Sequence, residues 1–339
     1  MISRLFAFLL LFFIFSCGQK DQVTKNVTGA IYHWKSTYNP EAKDLKKLDD
    51  LQICKQYIRF FDIDRKGTEP ASPKSVIRFR TLPLAEVIPV VYITNRTFQG
   101  LSETEIDTLA SRTLSKIRSI ADENEISFNR IQLDCDWSKS TQKAYFRLLR
   151  KIEEQLDSTI ELTSTLRLHQ VKFMEQTGIP PVSRVSLMLY NVGDWTNPLT
   201  PNSLFDPKII DQYIYRIPEY PLPIDIALPI YQQTLVYRNN KLFTFMKSQS
   251  YEDVSRALKL KKIETSRNYV CLENSEFLNK SFRKGDVFRF ESVNYEQLKL
   301  LNKAVKSRIQ NQNTDLIFYH LDQNALSQFS KKEFRRLLR

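Results

Sequence analysis

The stretch Arg130-Ile131-Gln132-Leu133-Asp134-Cys135-Asp136-Trp137 decides the fold. Ile131, Leu133 and Cys135 alternate with Gln132, Asp134 and Asp136, so a strand here has one apolar face and one face bearing an amide and two carboxylates. The apolar face would pack against helices and the polar face would point into a barrel, where bare core layers would otherwise be Val, Ile or Leu. A period of two sets both carboxylates on one side, about 6.5–7 Å apart along the strand. Two ionised carboxylates that close disfavour each other, so one could keep a raised pKa and act as an acid. Alternatively, Arg59 or Arg167 from other strands neutralises both.

Outward from this strand, short apolar runs recur at 29–34, 57–62, 87–94, 130–136, 160–169, 185–190, 224–231 and 316–321. Helix-period stretches lie between them. Leu45, Leu48 and Leu51 mark one at 40–51; Ile106, Leu109, Leu114, Ile117 and Ile120 mark another at 102–123. A third, at 141–156, carries Tyr145, Leu148, Leu149, Ile152 and Leu156. Strand and helix alternating eight times over roughly 300 residues is the pattern and size of a (β/α)8 barrel, that is, an α/β TIM barrel. An open doubly wound sheet is the alternative, and its glycine fingerprint is missing. The connection from Tyr231 to Leu316 is too long for one helix. It holds strand-like pieces at 269–272 and 287–290 around Lys284-Gly285-Asp286, then a helix at 295–309, which predicts a small α+β insertion after strand seven, about 235–294.

The composition narrows the class. Hydrophobic residues make up 42% of the 339 and charged residues 26%, enough apolar material for a core, which excludes wholesale disorder. Seven glycines exclude collagen-like and glycine-rich chains, and four cysteines cannot form a disulfide framework, although a pair among Cys54, Cys135 and Cys271 stays open. Arg4 followed by an unbroken apolar run of 5–15 is too short to span a bilayer and fits the h-region of a signal peptide. Ser16-Cys17 at its end resembles a lipobox, implying cleavage before Cys17 and acyl chains on Cys17. The expected organisation is a leader at 1–16, a lipidated cysteine and polar tether at 17–27, and the barrel at 28–339. Gly18-Gln19 after the cysteine carries no inner-membrane retention aspartate, which places the anchored protein at the outer membrane of a bacterial envelope. Loss of Arg4 with the leader takes the net charge from +12 to +11, which suits an anionic neighbour, lipopolysaccharide or an acidic glycan, rather than nucleic acid, which an exported lipoprotein rarely meets.

The carboxyl ends of barrel strands are where sites are built. All three histidines, His33, His169 and His320, and all three tryptophans, Trp34, Trp137 and Trp195, fall at or just past such ends. With them come Asp62, Asn95, Arg167, Tyr190, Asn191, Tyr231 and Asp322. Flat aromatic faces beside clustered Asp, Asn, His and Arg suit a sugar. Trp34 and Trp137 would stack on its ring, and Arg167, His169, Tyr190 and Asn191 would orient hydroxyls or an acidic group. Two histidines with two aspartates could hold zinc, but no HxH or HExxH spacing exists, so no metal is assigned; no GxSxG occurs either, and no cofactor is implied.

At 133–137, Leu-Asp-Cys-Asp-Trp, and at Met188-Leu189-Tyr190-Asn191, the chain resembles the family 18 chitinase-like barrels, whose fourth strand reads DxxDxDxE and whose sixth reads MxY followed by Asp or Asn. The resemblance implies that Asp134 and Asp136 stand at the two later aspartates and Met188, Tyr190 and Asn191 at substrate-binding positions. It also implies the insertion after strand seven. The family's acid glutamate falls on Ser138 and its first aspartate on Ile131. More broadly, 57–62, 88–91, 132–137 and 165–170 resemble a family of bacterial lipoproteins with a glycosidase-like barrel and no assigned substrate. Two expectations follow. In one, the barrel is a glycoside hydrolase, with Asp136 (or Asp134) as proton donor and Asp62 or Asp322 facing it across the glycosidic bond. In the other, it is a non-catalytic glycan-binding or envelope-assembly lipoprotein that has lost its acid.

Overall fold

The computed structural model describes residues 25–67, 69–320 and 326–339. The leader, Cys17 and Asp322 lie outside the described residues. Eight parallel strands form the frame: β1 (Asn26–His33), β2 (Ile53–Asp64), β3 (Glu86–Ile93), β4 (Arg130–Asp134), β5 (Glu161–Arg167), β6 (Arg184–Met188), β7 (Ile224–Pro229) and β8 (Asn313–Tyr319). Each pairs with its successor, and β1 pairs with both β2 and β8, so the sheet closes on itself as a (β/α)8 barrel. Every apolar run in the sequence falls on one of these strands. β1 begins at Asn26, two residues inside the stretch expected to be tether.

The helices that cover the barrel follow from their stripes: α1 (Ala42–Asp50), α2 (Glu103–Glu123), α3 (Gln142–Glu153), α4 (Pro207–Ile214), α5 (Tyr295–Lys306) and α6 (Lys331–Leu338). α2 buries Ile106, Leu109, Leu114, Ile117 and Ile120, the residues spaced at the helical period. Its start is set by a capping box, in which Ser102 Oγ accepts from the Glu105 N–H and the Glu105 carboxylate accepts from the Ser102 N–H. α3 buries Tyr145, Leu148, Leu149 and Ile152. These stripes meet Ile131, Leu133 and Cys135, all at most 1% exposed, and each fully buried aliphatic side chain stabilises the packed layer by roughly 1.5–3 kcal/mol. No described helix is long and apolar enough to cross a membrane.

The barrel interior is polar in three layers. At the amino-terminal base, Arg130 donates to Glu161 (2.5 Å) and Asp315 (2.8 Å), Lys55 pairs with Asp315 (3.0 Å) and Arg184 with Asp225 (2.9 Å). In the middle, the Tyr32 hydroxyl donates to Gln132 Oε1 (2.6 Å), and Gln132 Nε2 donates to Ser186 Oγ (2.8 Å). The upper layer holds Asp134, into which Thr165 Oγ1 donates at 2.6 Å. Gln132 and Asp134 thus face inward, because a buried polar group must find partners and the interior supplies them.

Between β7 and β8 stands an antiparallel sheet in the order Lys241–Lys247, Gln233–Arg238, Val287–Glu291, Tyr269–Cys271, Leu260–Lys262. It has its own core of Val236, Met246, Val254, Leu258, Cys271, Phe282 and Phe288. Its first strand begins at Gln233. Cys54, Cys135 and Cys271 are free thiols, the first exposed and the others buried.

Candidate functional site

The alternation of β4 delivers Asp136 to the carboxyl-terminal mouth, where Arg167 from β5 meets it. Arg167 Nε donates to Asp136 Oδ1 at 2.6 Å and Nη2 to Oδ2 at 2.8 Å. Both oxygens of Asp136 are engaged by the guanidinium fork, which holds the carboxylate ionised rather than free to carry a proton. One layer below, Asp134 is only 7% exposed. Burial, then the charge of Asp136, pushes its carboxyl up to about 7, against the opposing Thr165 hydrogen bond. Asp62 is brought inward by a register shift in β2 that pairs it with Tyr92, and its two oxygens accept from Arg59 Nη1 at 2.9 and 3.0 Å. Asp62 and Asp136 each carry an arginine, and among the described residues Asp134 is the carboxyl group of this layer without one.

A cleft of about 660 Å³ opens above this layer, lined by Tyr92, Asp136, Arg167, His169, Asn191 and Tyr231 from the barrel. Asn191 stands in the left-handed region (φ 54°), which asparagine tolerates, and its Oδ1 accepts from the Tyr231 hydroxyl at 3.0 Å. Local desolvation and the charge of Arg167 lower the His169 pKa. Tyr190 stacks on Tyr319 (centroids 5.0 Å apart), and Trp34 packs against Tyr32, Tyr92 and Tyr319, forming an aromatic floor. Trp34 and Tyr190 therefore support the cleft, although neither lines it.

The structure does not bring every expected residue to the cleft. Trp137 is 1% exposed, stacked on Tyr145, and its indole N–H donates to the Thr177 carbonyl at 2.8 Å. It shares the parity of Leu133 and Cys135 and so packs outward, under the helices, where it cannot stack on a sugar. His33 turns outward for the same reason, onto the ring of Tyr38, with Nε2 3.1 Å from the Thr37 carbonyl; burial lowers its pKa to about 4. His320 is buried beside Tyr231 and Tyr319. Asn95 accepts from Thr141 Oγ1, whose oxygen also caps the Ser138 N–H at 3.0 Å. Ser138 Oγ is engaged with Ser140 (2.9 Å) and Thr141 (3.2 Å). The place of the family's acid is thus a small network of hydroxyls. Among the described residues no three His, Cys, Asp or Glu side chains converge to hold a metal ion.

Six of the thirteen lining residues are ones the barrel pattern does not reveal: Trp195 and Ser203 from the loop after β6, and Gln233, Leu235, Phe245 and Lys247 from the inserted sheet. The wall is fixed by a buried pair, Arg289 with Glu291 (2.8 Å); Glu291 accepts from the Ser203 N–H (2.6 Å) and from Gln233 Nε2 (2.7 Å). Arg289 also donates to the Asn197 carbonyl (2.7 Å) and the Tyr237 hydroxyl to the Trp195 carbonyl (2.8 Å), which sets the indole at the opening, 51% exposed. Gly193 permits the loop to close, since a Cβ there would lie 3.0 Å from Ser203 Cα. Asn239 and Asn240, both at positive φ, form the tight turn between Gln233–Arg238 and Lys241–Lys247. That asparagine pair between alternating strands was the signal that could have disclosed this wall.

No protein-family model and no curated protein matches the chain. Among solved structures, the chain is similar to the spore cortex-lytic enzyme SleL of Bacillus cereus, with 16% identity and a TM-score of 0.53 over 93% of this chain and 74% of that one. It is similar to a GH18 chitinase mutant from Cycas revoluta in complex with (GlcNAc)4, with 12% identity and a TM-score of 0.51 over 91% and 99% of the two chains. A chitinase from Rhizomucor miehei matches with 11% identity and a TM-score of 0.50 over 93% and 100%. At these identities the likeness is one of fold: the chain has the (β/α)8 architecture of the family 18 glycoside hydrolases.

Proposed function

We propose that this protein is a glycan-binding barrel, anchored by lipid on Cys17 at the outer membrane of a bacterial envelope, in which the hydrolytic chemistry of family 18 barrels is lost. The observation that carries the reading is the state of the carboxylates at the mouth. Asp136 is forked by Arg167, Asp62 is held by Arg59, and Ser138 occupies the place of the family's acid in a hydroxyl network. The substrate-assisted hydrolysis of family 18 barrels needs one carboxylic acid at the mouth free to give a proton to the glycosidic oxygen. A cleft that keeps an exposed indole, a phenyl ring, an amide and a phenol but ties Asp136, its carboxylate among the described residues, to an arginine suits holding a sugar chain. β1 begins at the pole opposite the cleft, so the chain enters the barrel away from the cleft.

A specific observation keeps hydrolysis as a second reading. Asp134, pushed up to about 7, holds a proton over much of the neutral range, which is the property of a general acid. Its burial beneath Asp136 and the donation from Thr165 argue against direct reach to a glycosidic oxygen.

The experiment is retention of the protein, native and Trp195→Ala, on immobilised chitin, peptidoglycan and neutral and acidic polysaccharides. Retention of the native protein on at least one of them, weakened in the variant, is the expected result. No retention on any glycan, with both proteins alike, overturns the reading in favour of an assembly role.

A further inference from the structure

The carboxylate–arginine pairs leave one charge at the cleft unmatched. The cleft-lining side chains that carry charge at neutral pH are Asp136, Arg167 and Lys247, beside the imidazole of His169. Asp136 and Arg167 cancel in their bidentate pair. Behind them, Arg59 is matched by Asp62. Lys247 ends the strand Lys241–Lys247, directly across from Gln233, and among the described residues no carboxylate pairs with it. Its pKa is lowered by desolvation at the cleft and by the nearby charge of Arg59. The fold thus holds an ammonium at the exposed edge of the cleft, and among the described residues nothing of opposite sign pairs with it. Such a charge raises the affinity of the site for an anion.

The neighbours of Lys247 say what kind of anion. Phe245 precedes it by two residues on the same face of the strand, 51% exposed, and Trp195 stands at the opening at the same exposure. Two flat apolar faces beside one unpaired cation match a ring that is apolar on one side and carries a negative group on its edge. A free inorganic anion would leave the aromatic faces idle, and a neutral sugar would leave Lys247 unanswered.

Resting on the glycan-binding reading, we infer that the cleft selects a sugar chain bearing acidic groups, with Lys247 on the acidic group and Trp195 and Phe245 against the sugar rings. The acidic group is a carboxylate or a sulfate ester, which share this chemistry. The positive net charge, +12 for the whole sequence and +11 once Arg4 leaves with the leader, adds long-range attraction for the same class of ligand.

The test is a fluorescence and calorimetric titration of the full chain with three oligosaccharides of equal length: a uronic-acid tetramer, a sulfated tetramer and neutral (GlcNAc)4, each at low and high salt. The native protein is expected to bind one of the acidic chains at least tenfold more tightly than the neutral one, with a preference that shrinks as salt rises. Lys247→Gln is expected to bring the acidic-to-neutral ratio close to one, Lys247→Arg to retain most of it, and Trp195→Ala to weaken all binding. The acidic arm that binds identifies carboxylate or sulfate. Equal affinity for all three chains, or a preference that survives Lys247→Gln, overturns the inference while glycan binding stands. Absence of binding to all three, alike in native and Trp195→Ala proteins, overturns both.

Discussion

The two poles of the barrel interior are built from the same residue types and do different things. At the base, Asp225 and Asp315 meet Arg130, Arg184 and Lys55; at the mouth, Asp62 and Asp136 meet Arg59 and Arg167. The base is closed, with Asp225 1% and Asp315 6% exposed at their side chains, whereas the Asp136 side chain is 42% exposed above a cleft of about 660 Å³. An Asp–Arg cluster inside a barrel is therefore no sign of a site by itself. What separates the poles is the opening, the aromatic faces beside it and the unpaired Lys247, all at the carboxyl ends of the strands.

The sharpest way to break this comparison is to remove a charge from each pole. Arg130→Ala removes one charged donor from Glu161 and Asp315, which keep Ser183 and Lys55 respectively, and about 1.5–3 kcal/mol of stability should be lost on urea unfolding. Glycan retention by the protein that remains folded should be unchanged. Weakened retention in a fully folded Arg130→Ala protein would mean that the base is part of the site. Trp195→Ala should do the reverse, lowering affinity about 10- to 100-fold, as for a buried aromatic contact at the centre of an interface. Unfolding of the same variant should change by no more than about 0.5 kcal/mol, because the indole is half exposed.

Asp134 sharpens the comparison through pH. Its folded-state pKa is raised, so the native chain binds a proton that the unfolded chain has released between about pH 4 and 7. Its contribution is present in full below the unfolded pKa and is lost as pH rises through about 7. Asp134→Asn should flatten that fall when the unfolding free energies of the two proteins, measured by urea at each pH, are subtracted. A difference curve that rises with pH would show that Asp134 is instead an ionised, stabilised carboxylate. The smallest effect belongs to the rim. Asp64 pairs with Arg96, which is 55% exposed, and Asp64→Asn should cost about 0.5 kcal/mol in unfolding and leave retention untouched.

How much of this was legible in the sequence depends on which signal was read. The eight strands follow from apolar runs, and the carboxylates of β4 were correctly aimed by their alternation with Ile131, Leu133 and Cys135. The same alternation puts Trp137 and His33 on the outer face, and position at a strand end was the weaker guide. Tyr92 and Tyr319 obey the inward parity and were overlooked because tyrosines in an apolar run read as core. Trp195, Gln233, Phe245 and Lys247 come from a loop and an inserted sheet, and no barrel period places such residues over the mouth; only the fold does. Ser138 in place of the acid was visible from the resemblance alone. The pairing of Asp136 with Arg167 rather than Asp134 is a matter of distance, which a pattern along one strand does not contain.

The central claim is that the mouth holds a glycan and does not cut it. The direct measurement is prolonged incubation of the native protein, at pH 5 and at pH 7, with the oligosaccharide it binds most tightly, followed by mass spectrometry of the sugar. The sugar is expected back at its original length at both pH values, with binding intact. Shorter chains with new reducing ends, formed by the native protein and not by Asp134→Asn, would contradict the claim and make Asp134 the acid of a working hydrolase.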